Sequence, residues 1–540
     1  VNGWLQHLAI LPITLPLVVG AIMIPLEDQN GRLRATLSIA SAVALLVIAI
    51  ALLLRADAGG SGTTTVYRLG DWPATFGIVL VVDRLSALLL VLTSALGLAA
   101  LVFSLARWQR MGPHFHALFQ FQLMGLNGAF LTGDLFNLFV FFEVLLAASY
   151  GLALHGSGVA RVKAGLHYIA INLAASLLFL IGVSMIYGVA GTLNMADLAS
   201  RIPAIPVENR PLLEAGAAIL GMAFLVKAGM WPLGFWLAPT YAAASPPAAA
   251  IFSMMSKVGI YAILRLSLLL FGQDAGASAG FGGTWLVAGG IMTIGFGAIT
   301  VLATQDLSRL AGASVLISSG TLLAAVGTGQ VQVTAGALYY LASSALAIGA
   351  FFLLIELLER GRDIGADVLA VTLEAFGDGQ EDDKEDDEVG VAIPATMAVL
   401  GLCFLCCALL LAGLPPLSGF VAKFAMLTGI LNPGGLGKGP TLVSYAGWAL
   451  LIGLVLSGLA TVLAMTRAGI RSLWATSGRA VPRVGVIEIA PVLFLLMLCV
   501  GMTAAAGPAM RYMQAAATSL HEPGDYIRQV LGRRAAGATP

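Results

Sequence analysis

Three lysines sit inside apolar runs long enough to cross a bilayer: Lys227 in AILGMAFLVKAGMWPLGFW, Lys257 in AAAIFSMMSKVGIYAILRLSLLL and Lys423 in LPPLSGFVAKFAMLTGIL. One carboxylate, Glu143, shares that setting in GDLFNLFVFFEVLLAASYGL. A charge at the bilayer centre costs about 2.5–3.5 kcal/mol even on the lenient insertion scale, so such groups face one another or a wet path. Desolvation disfavours the charged form, and an opposite charge close by restores it. Glu143 set against Lys227 would therefore hold its proton state when the two meet and release a proton when they part. Lys257 would be the next carrier and Lys423 an exit group, a relay that moves protons through the membrane interior. A purely structural ion pair is the alternative for Glu143 and Lys227, and a structural or hydrating role the alternative for Lys257.

Polar neighbours extend the set. His167 in GLHYIAINL and the hydroxyls of Ser314, Ser318 and Ser344 are candidates to line a wet path between the carriers. Taken alone, each serine reads first as bonding its own helix backbone, and lining the path second. Arg265, two turns beyond Lys257, would either steer protons or snorkel to a helix end. Asp134 starts its helix as an acidic cap, and Asp83-Arg84 reads as an internal pair opening the third span.

Two of the helices that must position these groups are interrupted by proline. Met230-Trp231-Pro232 follows Lys227, and Leu414-Pro415-Pro416 precedes Lys423. Proline removes a donor and clashes with the preceding turn. In lipid the freed carbonyls survive only where protein or water satisfies them. Paired breaks in two halves of a transporter point to an ion site. WPLGFW at Trp231–Trp236 and PPLSGFV at Pro415–Val421 also echo one another, which suggests a duplication of about five helices in each half.

Composition places the whole chain in lipid. Of 540 residues, 59% are hydrophobic and 10% charged, with a mean hydropathy of +0.93. That predicts an all-α polytopic membrane protein with about fourteen spans, near 4–26, 33–54, 79–106, 113–132, 134–155, 164–190, 212–238, 246–271, 283–303, 309–328, 332–358, 390–430 (broken), 443–468 and 484–508. The first span lacks a basic leader and reads as a retained helix. Arginine and lysine crowd the loops of one face, at Arg32, Arg34, Arg107, Arg110, Arg161 and Arg309 among others. That face should be cytoplasmic, which puts both termini outside.

The net charge is zero and no basic patch suits nucleic acid. Cys403, Cys406, Cys407 and Cys499 all fall in apolar spans and read as packing residues, not as a metal site. No nucleotide loop, redox-centre motif or nucleophile constellation appears, so neither a cofactor nor covalent catalysis is expected. The run Glu381–Glu388 within 361–389 reads as a solvated acidic linker. Residues 191–211 read as a short amphipathic connector. The units expected are 1–110 (three helices), 111–272 (first repeat), 273–470 (second repeat, with the acidic loop) and 471–540 (last helix and a short tail).

GDLFNLFVFFEVLLAASYGL, LVKAGMWPLGFWLAPTYAAASPP, MSKVGIYAILR and LPPLSGFVAKF together resemble the antiporter-like subunits shared by multisubunit cation/proton antiporters and respiratory complex I. YGVAGTLNMADLA and TYAAASPPAAAIFSMMSK are most similar to the D-type subunits of the Mrp (Pha, Mnh) antiporters. The resemblance covers roughly 70–470 and implies two inverted five-helix repeats, spans four to eight and nine to thirteen, with the seventh and twelfth helices broken. It implies a subunit that passes protons in a sodium or potassium/proton antiporter of a bacterial cell membrane. Its partners would be a larger, A-type antiporter-like subunit, small hydrophobic subunits and membrane lipid. The alternative is a proton-pumping subunit of a complex I-like or membrane-hydrogenase enzyme. Glu143 matches the glutamate of the family's fifth helix, and Lys227 and Lys257 match the lysines of the seventh and eighth. Lys423 matches the charged residue of the broken twelfth. Two features depart from the pattern. The eleventh span has Ser343, Ser344 and Ile348 where relatives carry His and Lys, and DLSRLAGASV has Ser308 and Gly312 in place of Lys and Tyr.

Overall fold

A computed structural model describes residues 7–26, 31–58, 64–112, 114–360, 395–435, 442–474 and 484–532. The acidic run expected at 361–389 lies outside the described residues. Among the described residues, twelve helices are long and apolar enough to cross a membrane by length and composition, and Leu11–Met23 and Ser418–Leu431 are shorter apolar helices. Helices dominate because a backbone in lipid must satisfy its hydrogen bonds within its own segment.

The first helices are α1 (Leu11–Met23), α2 (Gly31–Ala58), α3 (Arg84–Ser104), α4 (Phe115–Leu131), α5 (Leu135–Ala153) and α6 (Val159–Ala190). A short α7 (Met195–Arg201) leads to α8 (Arg210–Ala228) and its continuation α9 (Leu237–Ala243), then α10 (Pro246–Leu270). Next come α11 (Gly283–Ala303), α12 (Leu307–Gly327) and α13 (Val331–Glu359). The second broken pair is α14 (Ala395–Ala412) and α15 (Ser418–Leu431), followed by α16 (Tyr445–Gly469) and α17 (Val486–Ala504). Two C-terminal helices, α18 (Ala506–His521) and α19 (Gly524–Leu531), close the described chain.

Burial separates pillars from perimeter. The apolar windows of α10 and α13 are 100% buried, against 33% for α2 and for α17. The two central helices thus carry polar groups that no lipid touches, while the outer ones offer side chains to the bilayer. Lys257 on α10 and Ser343 and Ser344 on α13 ride on those pillars.

Three expectations need correction. The third span does not start at 79: Val79–Val82 is strand β2, paired antiparallel with β1 (Thr65–Arg68), and the helix begins at Arg84. A run of Val and Leu is apolar whichever way it folds, so hydropathy alone ran it into the helix. Asp83 does not pair with Arg84 in the way the adjacent residues suggested. Its Oδ1 accepts from Ser86 N as the cap of α3, and its Oδ2 sits 2.6 Å from Arg265. Arg84 faces Asp57 at 3.9 Å instead. Finally, the chain after the last span is no simple tail. α18 and α19 dock on the body, with Tyr512 donating to Arg84 O at 2.8 Å and Arg68 donating to Val530 O at 3.1 Å.

Candidate functional site

Both helix breaks are built alike. α8 ends at Gly229 and α14 at Gly413, each left-handed, with φ of 77° and 75°. The next amide reaches back five residues in each case: Met230 N donates to Leu225 O and Leu414 N to Leu409 O, both at 3.0 Å. This turn needs a residue that tolerates positive φ and leaves the last carbonyls of the helix facing inward.

The two breaks satisfy those carbonyls differently. In the second, Lys423 folds back from α15 and donates to Ala412 O at 2.8 Å. A cation at a helix C-terminus is favoured by the aligned peptide dipoles as well as by the bond. A side chain added at Gly413 would meet Lys423 Cδ at 2.5 Å, so the glycine makes the space the lysine occupies. In the first, the indole of Trp236 donates to Val226 O at 3.3 Å and Trp231 N donates to Thr293 Oγ1 at 2.9 Å. Lys227 is left over. Its ammonium is 4.9 Å from the centre of the Phe142 ring and makes no hydrogen bond among the described residues, though the residue is only 5% exposed.

Glu143 is half-buried on α5. Its Oε1 accepts from Ser176 Oγ at 2.5 Å. Phe142, whose ring lies beneath the Lys227 ammonium, is the residue before Glu143 on α5, and no hydrogen bond joins Glu143 to Lys227 among the described residues. One helix further in, α8 and α10 touch at Gly259, where a Cβ would meet Ala228 N at 2.8 Å. Two residues before that contact lies Lys257, fully buried, which donates to Ser318 Oγ at 2.6 Å.

From Lys257 the hydroxyls continue. Ser318 Oγ is 3.0 Å from Ser344 Oγ, and the adjacent Ser343 is 2.7 Å from Ser418 Oγ in the first turn of α15. Ser314, Ser343, Ser344, Tyr340 and Thr461 border a cavity of about 10 Å³ between them, near the room one water needs. Ser314 also bonds its own backbone at Leu310 O. Lys423 stands five residues beyond Ser418 on the same helix. Two hydrogen-bonded segments, Lys257–Ser318–Ser344 and Ser343–Ser418, thus meet at adjacent residues of α13.

Two candidates stand elsewhere. His167 projects from the exposed face of α6 and donates to Lys163 O at 2.8 Å. The buried face of that helix carries Tyr168, Asn172 and Ser176, and a step of one residue turns the side chain by about 100°. Arg265 neither snorkels nor stands free: it is 6% exposed, paired with Asp83 and flanked by the rings of Tyr261 and Tyr526.

Sequence reasoning missed a charged cluster at the far end of α13. Glu356 accepts from Arg360 at 2.7 Å and from the Trp108 indole, and Arg360 also reaches Glu488 at 2.5 Å. The signal was present as single carboxylates at the ends of apolar spans, but nothing in the sequence said which ends meet.

Residues 132–436 match the family described as NADH:quinone oxidoreductase/Mrp antiporter, TM. The chain belongs to that family. It is 61% identical over 540 residues to the D-type subunit of a probable K(+)/H(+) antiporter from Rhizobium meliloti, covering 99% of this chain and 100% of that one. The D-type subunit of the Na(+)/H(+) antiporter from Alkalihalophilus pseudofirmus is 34% identical over 535 residues, 98% of this chain and 100% of the relative. Among solved structures, the Mrp complex from Dietzia sp. DQ12-45-1b superposes with a TM-score of 0.80 at 25% identity, covering 98% of this chain and all of its counterpart. The matched region takes in Glu143, both broken helices and the serines that join them.

Proposed function

We propose that this chain is the D-type subunit of a multisubunit monovalent cation/proton antiporter in a bacterial cell membrane, and that it carries the protons. Lys227, beside Glu143, loads; Lys257 receives; Ser318, Ser344 and a single water pass the proton on; Lys423 delivers it at the second break. The observation that supports this reading best is the buried line Lys257–Ser318–Ser344, which joins the halves where relatives are expected to use titratable side chains. Hydroxyls and one water suffice because each both donates and accepts.

The finer topology follows the same reading: fourteen crossings in two inverted five-helix units, 111–272 and 273–470, with both termini external. Small hydrophobic subunits and a larger, antiporter-like one complete the complex. A redox-driven pump would use the same relay, and the family name spans both kinds of machine. The full-length similarity to proteins named as D-type antiporter subunits favours the antiporter.

The deciding experiment is Lys227→Ala in the assembled complex, with cation-dependent proton movement followed in vesicles. The expected result is loss of antiport with the complex intact on a native gel. Wild-type antiport in that variant would overturn the relay, and loss of assembly would make Lys227 a scaffold residue.

A further inference from the structure

The two breaks also differ at one backbone amide. Two residues after the left-handed glycine stands Trp231 in the first break and Pro415 in the second. Proline has no amide hydrogen, so the second break leaves no donor at that point. The first leaves a Trp231 N–H that has passed the end of its helix, and in lipid such a donor must find an acceptor in protein or water. The acceptor comes from another helix: it is Thr293 Oγ1 of α11, at 2.9 Å.

Thr293 is fully buried, and its own hydroxyl hydrogen goes to Gly289 O at 2.6 Å, which leaves an oxygen lone pair for the amide. One turn earlier on α11, Gly289 makes room for Met230, since a side chain there would collide with the Met230 sulfur. Met230 and Trp231, the first two residues past Gly229, thus rest on a single turn of α11. That helix packs closely on α12, where a Cβ at Gly290 would meet Ala324 N at 2.5 Å, and α12 carries Ser318, the partner of Lys257. α12 also touches the far side of the break, with a Cβ at Gly312 meeting Ala238 O of α9 at 2.8 Å. The first break is therefore held from outside, by α11 and by the helix that bonds Lys257.

We propose that Thr293 is a positioning residue for Lys227: by accepting the Trp231 amide it holds the first break in the turn that keeps the helix-end carbonyls out of bonding reach of the lysine ammonium. Lysines near a helix C-terminus bond such carbonyls when these are open to them, as Lys423 does at the second break. Without Thr293 the Trp231 amide must turn to another acceptor. The segment from Trp231 to Trp236 then shifts, the Trp236 indole is drawn off Val226 O, and the end of α8 opens to Lys227. The effect on transport rests on the relay reading; the effect on structure does not.

The test compares Thr293→Val, which keeps the shape and removes the acceptor, with Thr293→Ser, which keeps the acceptor, both in the assembled complex. Cryo-electron microscopy reads the break directly. In Thr293→Val the Trp231 amide should leave its place beside α11, and the Lys227 ammonium should come within hydrogen-bond reach of a carbonyl at the end of α8. In Thr293→Ser both should stay where they are. Antiport in vesicles reads the consequence. Thr293→Val should lower the maximal rate about tenfold, the scale of one buried donor left unpaired, with the cation KM unchanged. Thr293→Ser, with the bond kept, should stay within about threefold of wild type. If Thr293→Val does not assemble, Thr293→Cys, whose sulfur accepts only weakly, should show the same displacement of Trp231. An unmoved Trp231 with Lys227 still away from the carbonyls, or equal displacement in the valine and serine variants, overturns the proposal. The expected shift of the break with wild-type antiport would instead sink the relay reading and leave the positioning of Lys227 standing.

Discussion

Each charge in this interior is defined by what its neighbour leaves undone. Lys423 is occupied by a helix-end carbonyl, whereas Trp236 takes the corresponding duty near Lys227 and leaves that ammonium without a hydrogen bond. On the proposed reading, Lys227 is the mobile partner and Lys423 the held one. The serines can be tested directly. Replacing Ser314, Ser318 and Ser344 together by alanine should slow proton transfer about tenfold or more, a barrier change near 1.4 kcal/mol, without loss of assembly. Unchanged antiport in vesicles would remove the hydroxyl line from the mechanism. A different residue reports on stability. Burial keeps the His155 imidazole below its ordinary range, with Arg161 acting the same way and the bond to Trp108 O opposing both. The unfolded chain then binds a proton that the folded one refuses. His155 therefore contributes stability above about pH 6.5, and loses it as the pH falls toward the folded value. The thermal midpoint should drop on acidification, and His155→Gln should flatten part of that slope.

The helix breaks show what sequence can and cannot reveal about an element. Trp231-Pro232 and Pro415-Pro416 announced both interruptions, and apolar runs announced nearly every long helix, because hydropathy and proline act locally. Start points were harder. Val79–Val82 is equally apolar as strand or helix, and only its pairing with Thr65–Arg68 decides. Partners were hardest. Asp83 stood beside Arg84 in the sequence but meets Arg265 in space, and His167 looked internal until the phase of α6 turned it outward. The cluster of relay candidates was legible as residue types, while the serine-to-serine joins needed three helices packed in register. At this scale Gly413→Ala is informative. Positive φ in a residue with a Cβ costs about 1–2 kcal/mol, and the new methyl would also displace Lys423. Gly435, with φ of 94° and open space around it, bears the backbone cost alone. Both variants should lower the thermal midpoint, but only Gly413→Ala should depress antiport; equal transport in the two would argue against a role for the Lys423 position.

Taken whole, the molecule is a set of fully buried pillars with a lipid-facing perimeter, and its C-terminal helices act as a seal on one side. Tyr526 of α19 lies 5.2 Å from the Arg265 guanidinium, over the ion pair with Asp83. Truncation after Ala504 would uncover that pair while leaving the proposed relay untouched. Water would then reach it, and a buried pair that loses its cover also loses much of its strength. The shortened chain should unfold at lower temperature, and Asp83→Asn should cost it less than it costs the full-length protein; a wild-type midpoint would show that α18 and α19 add nothing. The same pair has a history during synthesis. Asp83 emerges about 180 residues before Arg265, which at typical elongation rates is roughly 10–40 s. For that interval the carboxylate lacks the partner it will have in the folded chain. The nascent protein must therefore delay lodging α3 in its final place, or shelter that end at the insertion machinery, until α10 arrives. The order in which the helices are made is thus not the order in which they can settle.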